Sequence, residues 1–400
     1  MNSLRTPAGA ELIEAADAMR EEPLRCIEML RRRAPPELAA AAYDQALLRR
    51  RAVGKFSRAG RMFFTRDLLE QASGEVVAAH RARRFAGAGA VADLCCGLGG
   101  DAAALAGVAR VVAVDQNPLA VALTATSVEA YGDHVCAVVA QVPEFVPRVR
   151  AAFIDPGRRR ASGATGGGPG GRTHRLEQMS PPISAVLELH RRVPALGIKL
   201  SPAVSHRALD AAFSALRHER EAISVRGECR EMVVWTGELA TTPRRATLLP
   251  EGRSLVGTGE EELDIRPPGW YLYEPDTAVI RARLVARAAA SIGAWGIDPS
   301  LAYLSTDRYV STPWATAYCI EVPRPFSRKS LTRLLRERGA GDLILKTRGF
   351  AERPEALRQQ LSAGLRGGSA CPVVFIARVQ GRAVMIVGER VGAGTESHGR

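Results

Sequence analysis

Apolar positions follow two rhythms along this chain. Over residues 11–51 they recur at helical spacing, with Ile13, Ala16 and Met19 and then Leu24, Ile27 and Leu30 on shared faces, which predicts helices. Thr65 stands where a helix over 66–72 needs an N-cap, and Met62, Phe63 and Phe64 before it are expected in the core. From residue 91 short apolar runs alternate with helical stretches. Strands are expected over 91–94, 111–114, 135–139, 151–154, 196–200, 222–225 and 232–235, with helices over 101–106, 118–131, 183–191 and 206–216. This is a doubly wound α/β pattern, which binds ligands at the carboxyl ends of its strands. The last two strands, split by RGECRE, read as an antiparallel hairpin.

After Trp235 the rhythm is lost. Residues 237–269 are rich in Thr, Arg, Pro and Gly and read as a linker with short strands. A second alternating unit starts at Tyr271, with helices expected over 276–291, 327–338 and 354–364 and strands over 301–304, 317–322, 342–346, 373–378 and 383–388. The resulting division is a helical segment over 1–75, an α/β domain over 76–237, a linker over 238–270, an α+β domain over 271–390 and a disordered tail over 391–400.

Composition narrows the class. The chain has 400 residues, 46% of them hydrophobic, enough for two or three domains. No apolar run approaches the ~20 residues that span a bilayer, and the polar, early acidic N-terminus does not read as a signal peptide. Seven cysteines without a C-x-x-C pair argue against a disulfide framework or zinc site, and no histidines pair at metal-ligand spacing. No metal, no membrane and a cytoplasmic location are the expectations. The formal charge is +13, and Lys55, Lys199, Lys329 and Lys346 are the only lysines. Such an arginine excess reads either as codon bias or as a polyanionic partner, since guanidinium forks fit phosphates. The run Arg31–Arg33 reads as a solvated helix end or a contact site.

Chemistry concentrates in two places. The first is VADLCCGLGGD, residues 91–101, a strand, a glycine turn and a helix start. Gly97, Gly99 and Gly100 let the backbone turn tightly and approach a ligand, and the helix amides point over the turn. A glycine turn alone is equally a plain strand-to-helix connection. Asp115, ending the next strand, stands where nucleotide-binding folds place a carboxylate on ribose hydroxyls. The pattern D-L-C-C-G-L-G-G-D departs from G-x-G-x-x-G and resembles motif I of class I S-adenosylmethionine methyltransferases, with Cys95 in the place of the first glycine. That resemblance implies S-adenosylmethionine as cofactor. Asp93, Cys95, Gly97, Gly99, Gly100 and Asp101 are then expected on its methionine and ribose side and Asp115 on the ribose hydroxyls. Gln116, Asn117 and Gln141 are expected near the adenine. In that family the segment before motif I folds over the cofactor, which brings in Phe64 and Thr65 as contact candidates.

The second place is FIDPGRRR, residues 153–160, at the end of the fourth strand. Methyltransferases that modify exocyclic amines carry a D/N-P-P-aromatic motif there. In it the acid and the first proline carbonyl accept from the target amine and orient its lone pair. The demand is positioning, since the methyl donor is already activated. Asp155 and Pro156 match and are the catalytic candidates. Gly157 replaces the second proline and Arg158 the aromatic, which leaves the target atom open. The alternative is an ordinary Asp-Pro turn ending a strand. Arg158, Arg159 and Lys199, the last on the neighbouring strand, are the substrate-binding candidates. The glycine-rich stretch over 161–172 reads as a flexible lid or an idle insertion, and Glu228 and Glu231 face either the site or solvent.

Together with EPDTAVIRA, PFSRKSLTRLLR and LKTRGF, the chain resembles bacterial class I methyltransferases with a C-terminal THUMP-like domain, and its core is similar to trimethylguanosine synthase. The implied fold is a Rossmann-like class I methyltransferase sheet, closed by the hairpin, with an N-terminal helical segment and a C-terminal α+β THUMP-like domain. The implied partner is RNA, tRNA foremost, and the implied activity is methylation of a base exocyclic amine. A small-molecule methyltransferase, and an RNA-binding protein with a vestigial site, stand as alternatives.

Overall fold

The structure, a computed structural model, describes residues 2–19, 22–157, 175–350, 352–365 and 367–392. It divides into two compact units, Met1–Glu219 with Glu231–Thr241, and Arg220–Arg230 with Thr242–Arg400.

The first unit opens with α1 (Pro7–Ala18), α2 (Pro23–Arg31) and α3 (Pro36–Ala52). Each carries a proline in its first turn, where the missing amide is not needed. Helix α4 (Arg66–Gln71) begins at Thr65, whose hydroxyl accepts from the Leu68 amide at 3.3 Å, a cap that contributes about 1 kcal/mol. Helix α5 (Glu75–Ala82) follows. Ile13, Ala16, Leu30, Met62 and Phe64 share one core with Leu98 and Leu123. The helical segment is thereby packed onto the turn that follows the first strand.

The sheet of this unit is built from β1 (Ala90–Leu94), β2 (Arg110–Asp115), β3 (Cys136–Val139), β4 (Ala151–Ile154) and β5 (Ala195–Leu200). Helices α6 (Gly100–Ala106), α7 (Pro118–Ala130) and α8 (Ile183–Leu189) lie between them in sequence, and α9 (His206–Phe213) follows β5. The strand order is β3-β2-β1-β4-β5, all parallel. The last strand, β7 (Glu228–Thr236), runs antiparallel beside β5, with Gly197 opposite Trp235 and Leu200 opposite Met232. Every residue of β4 and β5 is buried, as parallel strands covered on both faces require. The chain order reverses between β1 and β4, which creates a crevice at their carboxyl ends.

In the second unit, β6 (His218–Val225), which enters it at Arg220, pairs in parallel with β8 (Arg244–Leu249), and β8 pairs antiparallel with β9 (Arg253–Gly257). The stretch expected to be a linker with short strands supplies two sheet strands, with Ala246, Leu248 and Leu249 buried. A second sheet follows. Its strands are β10 (Tyr271–Pro275), β11 (Trp295–Gly296), β12 (Leu304–Thr306), β13 (Ala315–Ile320), β14 (Arg324–Pro325), β15 (Ile344–Arg348), β16 (Val373–Val379) and β17 (Arg382–Arg390). They run in the order β11-β12-β10-β13-β17-β16-β15, with β14 against β17 and only the β15–β16 pair parallel among the pairings described. Helices α12 (Arg328–Glu337) and α13 (Pro354–Ser362) cover one face through Leu331, Leu335, Leu357 and Leu361.

The single helix expected over 276–291 is two, α10 (Thr277–Arg281) and α11 (Val285–Ile292). Asp276 caps the first by accepting from the Ala278 amide at 2.7 Å, and Arg283 breaks the run with a left-handed φ of 59°. Among the described residues, no helix is long and apolar enough to cross a membrane, and no group of three or more His, Cys, Asp or Glu is placed to hold a metal.

Candidate active site

The turn after β1 is held in a left-handed path. Cys95, Gly97 and Gly99 have φ of 61°, 55° and 84°. Gly99 is there for packing. A Cβ on it would lie 2.6 Å from the Thr124 Cα on α7, so only glycine lets the two helices approach. The direction a side chain would take from Gly99 thus points to α7, and Gly99 is not among the residues that line the crevice. Gly97 and Gly100 do line the crevice.

Asp115, the last residue of β2, ties two loops together. Its Oδ2 accepts from the Gly97 amide at 3.0 Å and its Oδ1 from the Asn117 amide at 2.9 Å. Asn117 in turn caps α7 by accepting from Leu119 at 2.9 Å. A carboxylate offers about four lone-pair sites, so two remain for hydroxyls of a ligand.

On the other side of β1, Asp155 and Pro156 follow β4. The Asp155 amide donates to the Leu94 carbonyl at 3.2 Å, so the turn begins in sheet register. Gly157 exchanges both backbone hydrogen bonds with Ser180, at 2.7 and 2.9 Å, which pins the far side of the turn. Lys199, buried on β5, forms an ion pair with Asp155 Oδ2. The lysine expected to bind substrate thus acts on the acid beside it. Arg158, Arg159 and the glycine-rich stretch over 161–172 lie outside the described residues.

These groups share one cavity of about 470 Å³, within the range of small-molecule sites. Its walls bring together Asp93, Cys95, Gly97, Gly100 and Asp101 from the first turn, Asp115, Gln116 and Asn117 from the second, Gln141 after β3, and Asp155 and Pro156 after β4. Leu68, Gln71, Ala72 and Ser73 close it on the side of the preceding segment. Phe64 and Thr65 do not line it. Phe64 belongs to the core and Thr65 to the α4 cap.

Behind the cavity, Arg81 of α5 is fully buried and pairs with both Asp101 and Glu231, its guanidinium 4.8 Å from the centre of the Phe153 ring. Glu231 therefore faces the interior. The two carboxylates raise the Arg81 pKa against the effect of burial, so it stays charged. Burial pushes the Cys95 and Cys96 thiols up, with neighbouring carboxylates adding to it, so both stay protonated and neither is an activated nucleophile.

Comparison with known proteins identifies the chemistry. An uncharacterized S-adenosylmethionine-dependent methyltransferase of Mycobacterium tuberculosis, in strains CDC 1551 / Oshkosh and H37Rv, is 32% identical to this chain over 364 residues, 89% of this chain and 94% of the relative. The chain belongs to the S-adenosylmethionine-dependent methyltransferases. A candidate methyltransferase from Porphyromonas gingivalis W83 shares the fold, with a TM-score of 0.74 at 23% identity over 90% of this chain and 92% of the other. Residues 315–390 match the THUMP domain-like family, and residues 1–52 match a domain family of unknown function.

The donor set of the cavity suits S-adenosylmethionine. Asp115 retains acceptors for a diol, the turn leaves room at Gly97 and Gly100, and the acids Asp93, Asp101 and Asp155 suit a ligand that carries a sulfonium and an ammonium. Sequence reasoning missed Arg81, one of several arginines in RARRF, and the stretch Leu68–Ser73, whose helical pattern gives no hint of a ligand-facing side. It also missed Ser180, brought to Gly157 only by the fold.

Proposed function

We propose that this methyltransferase modifies an exocyclic amine of an RNA base, with tRNA as the favoured substrate. The observation that carries this reading is the shared cavity of Asp115 and Asp155, with Asp155 held by Lys199 and followed by Pro156. When bound, the cofactor supplies a sulfonium methyl that needs no further activation. Asp115 holds the ribose, Gln116, Asn117 and Gln141 the adenine end, and Asp93, Cys95, Gly97, Gly100 and Asp101 the methionine side.

Lys199 occupies one oxygen of Asp155, and the other accepts from the amine together with the Pro156 carbonyl. The lone pair is thereby aimed at the methyl, and rate comes from orientation rather than from base strength. Arg158 and Arg159 take a phosphate or stack on the base. Residues 76–237 act as the catalytic domain and 271–390 as the RNA-binding THUMP-like domain, a reading supported by the match over 315–390 and the net charge of +13.

Tritiated methyl transfer to total cellular RNA, followed by nucleoside analysis, tests this. The expected outcome is label in one N-methylated nucleoside. Label confined to small molecules, or cofactor binding with no transfer at all, would overturn it.

A further inference from the structure

Asp93 is the one acid in the cavity wall whose buried oxygen is unanswered. It is 1% exposed and its Oδ2 has no hydrogen-bond partner among the described residues. Each neighbouring acid already has a partner. Asp101 on α6 shares Arg81 of α5 with Glu231 of β7, Asp155 after β4 has Lys199 of β5, and Asp115 on β2 has two backbone amides. The Cys95 and Cys96 thiols beside it stay neutral. Five carboxylates thus surround two cations, and both cations are engaged elsewhere. A buried charge left in this state is costly unless a cation arrives or a proton is taken up.

The cofactor and its product differ in that respect. S-adenosylmethionine carries a sulfonium, and S-adenosylhomocysteine carries a neutral thioether in its place. We infer that Asp93 is the specificity residue by which the cavity tells the sulfonium cofactor from its thioether product. This rests on the cavity being the cofactor site. With the product, or with no ligand, Asp93 holds a proton. When the sulfonium enters, that proton leaves to solvent and the carboxylate faces the cation. Burial raises the Asp93 carboxyl well above its usual range, with Asp101, Asp155 and Asp115 adding to the rise and Arg81 opposing it. After methyl transfer the positive charge is gone, a proton returns to Asp93, and the product loses its hold.

Calorimetry of the full chain with each ligand, in two buffers of different ionisation enthalpy, reads the proton directly. Binding of S-adenosylmethionine is expected to release more protons than binding of S-adenosylhomocysteine, and the ratio of the two affinities is expected to rise with pH above the usual carboxylate range of about 4. Asp93→Asn imitates the neutral acid. It should bind the product within about twofold of the native protein, which also reports that it is folded. It should bind the cofactor roughly tenfold or more weakly, without the extra proton release.

Equal proton release for the two native complexes overturns the inference, and that measurement stands even if the variant fails to fold. So does a variant that loses both ligands in parallel, since the ammonium they share is then what Asp93 serves. Asp115→Ala separates the two levels. If it leaves both affinities intact, the cavity is not the cofactor site and the Asp93 role falls with it.

Discussion

Asp115 and Asp155 end the two strands that flank β1, and they are held in opposite ways. Asp115 is fixed by backbone amides of its own loop and of the glycine turn, at 2.9 and 3.0 Å. Asp155 is fixed by the side chain of Lys199, forty-four positions further on in the next strand. Backbone amides cannot be substituted away and move only with the fold, so they suit a group that holds the same cofactor in every turnover. A lysine on a four-carbon stem is adjustable, and it takes one oxygen of the acid, Oδ2, while leaving the other open to a further partner. Under the proposed function, the cofactor side is built as scaffold and the acceptor side as an adjustable contact.

Four substitutions test this contrast. Asp115→Ala removes acceptors for the cofactor and the tie between two loops. It should weaken cofactor binding by about 3 kcal/mol, roughly a hundredfold, as read by calorimetry. Asp155→Ala should leave cofactor affinity within about twofold and lower the transfer rate at saturating RNA by about a hundredfold, since orientation matters in the transition state. A native rate in that variant would make the Asp-Pro turn a simple strand end. Lys199→Met leaves Asp155 partly buried without its counter-ion. Because that carboxylate keeps 27% of its side-chain exposure, water screens part of the loss, and unfolding in urea should show about 1–2 kcal/mol of destabilisation with a smaller rate decrease than Asp155→Ala. Cys95→Gly should do the reverse. Its φ of 61° is one that glycine adopts without strain, and the variant should gain about 0.5 kcal/mol in the same urea experiment. A loss there would mean that the thiol's packing outweighs the turn's strain.

The same contrast governs what could be read from the chain. The place of Asp115 at the end of β2, in the cavity wall beside the glycine turn, was legible because its distance from that turn is characteristic. The α/β alternation was legible because period-two and helical patterns are themselves local, as was the Thr65 cap. The approach of Thr124 to Gly99 was not legible, because a glycine kept for a ligand and one kept for a neighbouring helix look alike in sequence. The neighbouring strand of Lys199 was legible but its ion pair was not, since nothing in GIKL says which acid the lysine meets forty-four positions earlier. The break at Arg283 inside an apparently continuous helix was also beyond reach, because an arginine gives no warning of a left-handed turn.

Arg81 bears on how this catalytic module is inherited. A gene fragment trimmed to the sheet would begin near β1 and end with β7. It would retain Asp101 and Glu231 and discard the guanidinium that pairs with both, leaving the two acids without their shared counter-ion. Exchange of such modules between proteins, by recombination or at the bench, therefore has a natural seam ahead of α5 rather than at the cofactor motif. A graft that moves the seam past Arg81 carries over the glycine turn and α6 without the cation that Asp101 pairs with.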